Sequence, residues 1–111
     1  MAGNVKLLVY PAKDLNAAKA LFNTFLGVRP YVDGDYYVGY KVDDALEIGL
    51  DPNGRTVVAY VDVQDIKKSM QTLADAGATV YQDARDVGGG LLIAQVKDTN
   101  GNILGLRQQA K

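Results

Sequence analysis

The stretch Tyr10-Pro-Ala-Lys-Asp14-Leu15, which leads into a helical pattern ending at Leu26-Gly27, occurs a second time in the chain. The second copy, Val61-Asp-Val-Gln-Asp65-Ile66, leads into a helical pattern ending at Ala76-Gly77. Each copy follows an apolar, β-branched run typical of a strand. Two copies are too few for a solenoid, which needs about three or more repeats to bury a continuous core. The repeat therefore predicts two similar strand–helix–strands modules that pack on each other and enclose a space.

The residues at both ends of each helical pattern are of the types that commonly begin and end helices. Asp14 and Asp65 are good N-caps, because an aspartate oxygen accepts from the free N–H groups of the first turn. Gly27 and Gly77 adopt left-handed conformations easily and end the helices. Between these boundaries, apolar residues recur at helical spacing and predict one buried stripe on each helix. The predicted stripes are Leu15, Ala18, Phe22 and Phe25 in the first copy and Ile66, Met70, Leu73 and Ala76 in the second.

Three strand-like segments follow each helix and are separated by turns rich in Gly, Asp and Asn. Short connections favour mostly antiparallel strands with the helix on one face of the sheet. The predicted fold is therefore α+β, with two βαβββ modules related by pseudo-twofold symmetry in one domain of residues 1–111. Module one covers residues 4–54 and module two covers residues 55–109.

The composition excludes several classes of function. A net charge of −1 without long Lys or Arg runs argues against nucleic-acid and membrane partners. Neither an apolar run of about 18 residues nor a signal-like leader is present, so we expect a cytoplasmic protein. Cysteine and histidine are absent, which removes thiolate and imidazole chemistry. The only glutamate is Glu47, and an all-oxygen metal site would suit Mg²⁺ or Ca²⁺ better than zinc or iron.

Alternation along the strands divides their residues between two faces of the sheet. Glu47 falls beside small residues on the face away from the helix. In the last strand, Gly105 and Arg107 fall on the corresponding face. This pattern is typical of a cavity wall. The residues predicted to face the helices are Leu46, Ile48 and Leu50, and then Leu104 and Leu106.

Two segments, residues 8–27 and 93–106, resemble the vicinal oxygen chelate superfamily, which includes glyoxalase I, bleomycin-resistance proteins and extradiol dioxygenases. The first carries Asp-Leu-x5-Leu-Phe-x3-Leu-Gly from Asp14, and the second carries Asp-x-Asn-Gly-Asn-x-Leu-x-Leu from Asp98. The similarity covers essentially the whole chain. It implies a glyoxalase-like fold in which the modules form a curved mixed sheet, a cup that holds a ligand.

The resemblance also implies where metal ligands lie in metal-dependent members. The corresponding positions here are Leu7 and Val58 on the first strands and Glu47 and Gly105 on the last strands. Only Glu47 offers a side-chain donor, and one carboxylate is too few for a tight site. We therefore expect no metal and no cofactor.

Several residues are predicted ligand contacts. Glu47 could bind a cationic or hydroxylated ligand, act as a general base, or form an ion pair with Arg107. Arg107 could clamp an anionic ligand or, as a strand-end residue, be solvated. Tyrosine walls suit flat, partly polar ligands. The predicted contacts are Leu7, Tyr40, Glu47, Val58, Tyr60, Gly105 and Arg107.

Three functions remain open at this point. The first is a metal-free, bleomycin-resistance-like binder of a small planar or amphipathic molecule. The second is a lyase, isomerase or dioxygenase that uses Glu47 as the base or as part of a metal site. The third is an interaction or regulatory module whose cup is filled by its own side chains. A homodimer is expected in each case, because small domains often pair their open sheet edges.

Overall fold

A computed structural model describes residues 3–111. Their contacts divide the chain into two compact units. Residues Lys6–Val58 form what we call the first unit, and Ala59–Lys111 form the body of the second unit. Each unit has its own helix, its own strands and its own apolar core.

Both units follow the order strand, helix and three strands, so the predicted α+β class and its two βαβββ modules are confirmed. The first unit consists of β1 (Val5–Pro11), α1 (Leu15–Leu26), β2 (Val32–Asp33), β3 (Val38–Lys41) and β4 (Glu47–Asp51). The second consists of β5 (Val58–Asp62), α2 (Ile66–Asp75), β6 (Thr79–Asp86), β7 (Leu92–Lys97) and β8 (Ile103–Gln108).

The four strands of each unit pair in the same way. Strand order is β2-β3-β4-β1 in the first unit and β5-β8-β7-β6 in the second. The first and last strands of each unit are parallel neighbours, β1 with β4 and β5 with β8. The remaining pairs are antiparallel. The helix between the first two strands provides the crossover that a parallel neighbour requires.

The helix boundaries confirm the predicted caps Asp14, Asp65 and Gly27. Asp14 Oδ1 accepts from the Ala17 N–H at 3.1 Å, and Asp65 Oδ1 accepts from the Lys68 N–H at 3.1 Å. Gly27 ends α1 in the left-handed region at φ 70°. The second helix closes one residue before its glycine, which follows with φ 115°.

Each helix packs on one face of its own sheet. In the second unit, Met70 and Ile66 of α2 form a buried core cluster with Leu106 and Ala94 of the sheet. In the first unit, Ile48 and the neighbouring core residues pack against α1. The α1 residues that pack there are Leu15, Ala18, Phe22 and Leu26.

Two predicted stripe residues and one strand residue are more exposed than the pattern predicts. Phe25 is 72% exposed, because Leu26 completes the buried stripe one residue later on the helix. Ala76 is exposed at the end of α2. Leu104 shares the strand face of the buried Leu106 but is 40% exposed. No helix among residues 3–111 is long and apolar enough to cross a membrane.

Candidate ligand-binding site

The sheet face turned away from the helix, which we call the far face, carries most of the predicted contacts. In the first unit, alternation places Leu7 and Glu47 on the far face, since Leu8 and Ile48 pack in the core with α1. Leu7 and Glu47 are direct partners across the parallel β1–β4 pair. These two positions are therefore direct neighbours within the first unit.

Glu47 belongs to a polar cluster on this face. The Tyr31 hydroxyl donates to Glu47 Oε1. Lys41 is the antiparallel partner of Glu47, and its Nζ lies 4.7 Å from the centroid of the Tyr31 ring. An ammonium over an aromatic face is attracted by the ring quadrupole. Tyr31 is 52% exposed, so the cluster presents part of an aromatic ring to solvent beside a carboxylate.

A floor of two glycines lies on the same face. Gly39 and Gly49 are opposite each other in the β3–β4 pair, and both lie beneath the ring of Tyr37. A Cβ added at Gly49 would stand 2.7 Å from Tyr37 Cζ, and one added at Gly39 would stand 3.2 Å from Tyr37 Cε2. Only residues without a side chain let the ring lie this close to the sheet.

The second unit uses a similar device with different residues. Tyr60 and Gly105 are partners in the parallel β5–β8 pair. A Cβ at Gly105 would stand 2.6 Å from Tyr60 Cε1, so the tyrosine ring covers the glycine. The Tyr60 hydroxyl accepts a hydrogen bond from Gln95 Nε2 at 2.8 Å. Tyr60 is buried and serves here as packing for its own sheet.

Arg107 is buried and paired, so the expectation of a solvated strand end was wrong. It is 8% exposed. Its Nε donates to Asp62 Oδ1 at 2.6 Å and its Nη2 donates to Asp62 Oδ2 at 3.3 Å. The two residues are direct partners across β5 and β8, and a planar guanidinium matches a carboxylate in this two-point geometry. The ion pair predicted between Arg107 and Glu47 would join different units and stays a prediction.

Tyr40 lies on the helix side of its sheet and not on the far face. Its side chain is completely buried in the core of the first unit. Its hydroxyl donates to Asn23 Oδ1 of α1 at 2.7 Å. Burial raises the pKa of the Tyr40 phenol, with a further increase from Asp33 and an opposing effect of Lys19. Tyr40 is thus a core residue that anchors α1, and the sequence assignment to the ligand wall does not match this placement.

Two clefts lie away from the glycines that the tyrosine rings cover. One of about 440 Å³ opens at the start of α1, where Lys13, Asp14, Lys19, Asp33 and Asp35 form much of the lining. Lys19 and Asp33 form an ion pair of 3.0 Å within it. Charges of both signs alternate there, so the cleft has no strong preference for one sign of ligand. The other, of about 390 Å³, lies beside the start of α2 and the end of β8.

Comparison with solved structures finds close matches to the whole backbone. A glyoxalase/bleomycin resistance protein/dioxygenase superfamily member from Vibrio splendidus 12B01 has a TM-score of 0.70 at 20% identity, over 96% of this chain and 98% of that one. A methylmalonyl-CoA epimerase from Streptomyces coelicolor, solved with 2-nitronate-propionyl-CoA, has a TM-score of 0.76 at 15% identity, over 99% and 96%.

This chain has the glyoxalase-like fold. A Mn(II)-bound glyoxalase from Novosphingobium aromaticivorans also matches it, with a TM-score of 0.66 at 14% identity, but the match covers 96% of this chain and only 40% of that one. No protein-family model and no curated protein sequence matches the chain. The glyoxalase-like fold is therefore established by structure.

The residues at the four metal positions implied by the glyoxalase-like resemblance do not fit a resident metal. Leu7 and Val58 are apolar and buried, and Gly105 lies under the Tyr60 ring. Glu47 is the single donor of the four. Within residues 3–111, no group of three or more His, Cys, Asp or Glu side chains could hold a metal ion.

Several residues of the far faces are not among the ligand contacts predicted from the sequence. Tyr31, Tyr37 and Lys41 surround the Glu47 site, and Gln95 and Asp62 hold Tyr60 and Arg107. Alternation in β3 could have indicated that Lys41 lies on the sheet face opposite to that of Tyr40, but not that Glu47 is its partner. Tyr31 and Tyr37 lie outside the regular strands of the structure, so strand alternation does not fix the direction of their side chains.

Proposed function

We propose that this protein is a metal-independent binder of a small planar molecule, held on the far face of the first unit. The observation that carries the proposal is the polar aromatic cluster of Tyr31, Glu47 and Lys41 beside a tyrosine-covered glycine floor. Ligand sites combine aromatic walls with a few placed polar groups that fix orientation. This cluster offers both on one sheet surface.

The geometry favours a flat ligand with a hydrogen-bond donor or a positive group. The Tyr31 and Tyr37 rings supply apolar surface against which an aromatic or conjugated molecule can stack. Glu47 is only half-buried, and a carboxylate can accept from several donors at once. Its oxygens would orient the polar edge of the ligand, while Lys41 holds the Tyr31 ring in place through the cation–π contact.

A ligand screen with matched variants tests this proposal. Purified protein would be screened by thermal shift against planar compounds with amine, amidine or hydroxyl groups, and hits measured by calorimetry. We expect a hit to bind at least about tenfold more weakly to Tyr31→Ala and to Glu47→Gln than to wild type. Each variant loses one good stacking or polar contact, and the tenfold change corresponds to that loss. Tyr36→Ala is the control, because Tyr36 is 80% exposed in the connection between β2 and β3, and this variant should bind the hit as tightly as wild type does.

Two outcomes would contradict the proposal. One is a hit whose affinity is the same in wild type, Tyr31→Ala and Glu47→Gln, because the ligand would then bind elsewhere. The other is stoichiometric metal in purified protein together with a gain of activity when Mn²⁺, Ni²⁺ or Zn²⁺ is added. That second result would support the alternative of an enzyme in which Glu47 is a base or a metal ligand.

A second candidate function has its own support in the second unit. There, Tyr60 lies over Gly105 and is hydrogen-bonded to Gln95, and Arg107 is paired with Asp62. Side chains of the unit thus fill its far face, which suits an interaction or regulatory module. If no planar compound binds and the Glu47→Gln variant behaves as wild type in every ligand assay, this candidate is favoured over the first.

Further assignments from the sequence belong to the same proposal. Tyr60, Arg107, Gly105, Leu7 and Val58 stay predicted ligand contacts. The single domain of residues 1–111, the cytoplasmic location and the homodimer also stay predictions. The ligand screen addresses none of the last three, which need cell fractionation and measurements of molecular mass.

A further inference from the structure

Each unit carries one lysine ammonium over a tyrosine ring, at corresponding places in the repeat. Lys41 Nζ lies 4.7 Å from the centroid of the Tyr31 ring in the first unit, and Lys97 Nζ lies 5.7 Å from the centroid of the Tyr81 ring in the second. Both lysines end the third strand of their unit, and both tyrosines are about half exposed. The two units therefore share the same lysine–tyrosine contact.

The cross-strand neighbour of the lysine differs between the units. Lys41 is the antiparallel partner of Glu47 at the start of β4, whereas Lys97 is the partner of Ile103 at the start of β8. Of the two contacts, the one in the first unit thus has a carboxylate beside it, and the Tyr31 hydroxyl donates to that carboxylate. A cation is attracted both by an aromatic face and by a negative charge, so this arrangement suits an ammonium group.

In the free protein, an ammonium of the chain itself occupies this place. Lys41 is exposed, and at an exposed site a cation–π contact changes an equilibrium only about two- to fivefold. Tyr31 is held more firmly, because its backbone N–H donates to the Gly39 carbonyl at 2.9 Å and its hydroxyl donates to Glu47. Another cation can therefore replace the lysine while the ring and the carboxylate stay in position.

We propose that the ligand of the first unit is an organic cation, and that Lys41 competes with it for the place over Tyr31 beside Glu47. This inference rests on the proposed function, because it assigns a charge to the ligand of the same site. Lys41 holds the Tyr31 ring in the free protein and gives way when the positive group of the ligand binds. A cation replaces the contact that the lysine gives up, whereas an uncharged ligand has no substitute for it.

Calorimetry with two flat probes tests the charge of the ligand. N-methylquinolinium is a flat cation, and quinoline is a flat relative that is uncharged at neutral pH. Wild type should bind the cation at least about tenfold more tightly than quinoline, because only the cation is attracted by both the ring and the carboxylate. Equal affinities for the two probes, both weakened in Tyr31→Ala, would leave the proposed function standing and overturn this inference.

Substitution of the two lysines tests the competition. Lys41→Gln should bind N-methylquinolinium about fivefold more tightly than wild type, since it lacks the competing cation–π contact. Lys97→Gln is the matched control, because it removes the same charge from the corresponding contact of the second unit, and it should bind as wild type does. Lys41→Arg should bind the cation no more tightly than wild type, since a guanidinium also stacks on aromatic faces. An affinity of Lys41→Gln equal to or below that of wild type would overturn the inference, with circular dichroism to check that the variants are folded.

Nuclear magnetic resonance shows directly whether the lysine leaves the ring. Protons above an aromatic ring are shifted upfield, so the Cε protons of Lys41 should be upfield of those of an ordinary exposed lysine. Saturating N-methylquinolinium should remove this shift and leave the Lys97 signals unchanged, and a Lys41 shift that persists in the saturated complex would contradict the proposal. Failure of the cation to bind either wild type or Lys41→Gln would also overturn it. In that case, uncharged hits that lose affinity in Tyr31→Ala would still support the proposed function.

Discussion

The two units share one topology but differ in how a tyrosine covers their glycines. In the first unit, Tyr37 comes from the connection between β2 and β3 and lies over Gly49, which is in β4. In the second, Tyr60 comes from β5 and lies over Gly105 of the neighbouring β8. A ring on a connection can move more easily than a ring on a paired strand. The same device is therefore adaptable in the first unit and rigid in the second.

The polar residues of the two far faces differ in the same way. In the second unit, the charge of Arg107 is buried and engaged by Asp62 across paired strands. In the first, Glu47 is half-buried beside a Tyr31 ring that is partly open to solvent. A duplicated unit can thus keep one copy as a packed scaffold while the other presents polar and aromatic groups. This contrast supports placing the proposed ligand on the first unit.

Adding one methyl group to each glycine should have the largest effect and the clearest difference between units. In Gly105→Ala, the new Cβ would clash with the Cδ1, Cε1 and Cγ atoms of the Tyr60 ring, and this buried, hydrogen-bonded ring has little room to move. We expect a loss of about 2–3 kcal/mol in the free energy of unfolding, the cost of an overpacked core. In Gly49→Ala, the clash is with the far end of the Tyr37 ring, and the loss should be about 1 kcal/mol.

Urea denaturation of both variants would measure this difference. The double variant Gly105→Ala, Tyr60→Leu is the control, since removal of the ring should remove most of the extra cost of the methyl group. Equal losses in Gly105→Ala and Gly49→Ala would contradict the distinction between a rigid and an adaptable ring.

The two ion pairs provide the next comparison. Asp62→Ala removes the carboxylate that holds the guanidinium of Arg107, whose side chain is only 10% exposed. We expect a loss of about 1–2 kcal/mol, below the full cost of breaking a buried pair because Asp62 is partly exposed. Asp33→Ala breaks the more exposed pair with Lys19, and the loss should be below about 0.5 kcal/mol. Thermal unfolding at low and high salt would show whether only the second loss is screened.

The sequence predicted the features that repeat and missed those that depend on single side chains. Asp14, Asp65, Gly27 and the buried strand residues follow from local rules of capping and alternation, and the structure confirms them. The two βαβββ modules followed from the repeat, because the same pattern occurs in both halves of the chain and each occurrence supports the interpretation of the other.

Errors arose where geometry across strands or around a helix decided the outcome. Phe25 lies at the border of the apolar stripe. There, the turn of the helix from one residue to the next decides whether a side chain packs on the sheet or faces solvent. Tyr40 was ambiguous because both faces of its strand are partly apolar, and its bond to Asn23 is a contact between distant elements. A solvated Arg107 was among the alternatives because strand alternation does not reveal that Asp62 is its partner. Such pairings require the register, which the sequence alone does not provide.

The anchors of the two helices should contribute similar, smaller amounts. Tyr40→Phe removes the hydroxyl that donates to Asn23 of α1, and Gln108→Ala removes the side-chain oxygen that accepts from the Ile66 N–H at the start of α2 at 2.8 Å. Each should lower the free energy of unfolding by about 1 kcal/mol, the usual net value of one hydrogen bond. Hydrogen exchange would show whether the loss is confined to the helix concerned. An effect of Tyr40→Phe on α2 but not on α1 would contradict this assignment.

The smallest expected effect concerns acid and the turn between β7 and β8. Hydrogen bonds from the Asn102 side chain and backbone, and from the Asn100 and Gly101 backbone, lower the pKa of Asp98 from its ordinary value of 3.8 despite slight desolvation. A lowered pKa means that the unfolded chain binds the proton more readily, so this stabilisation is complete above pH 3.8 and is lost as pH falls through the folded-state value. The free energy of unfolding of Asp98→Ala, measured with urea, should therefore differ from that of wild type at pH 6 and converge toward it below pH 3.

The matched control is Asp51→Ala, in the corresponding turn of the first unit. It removes a carboxylate that accepts only from the Asn53 N–H among the bonds seen there. A gap between Asp98→Ala and wild type that is constant from pH 6 to pH 2.5 would mean that the aspartate acts through turn geometry and not through its charge.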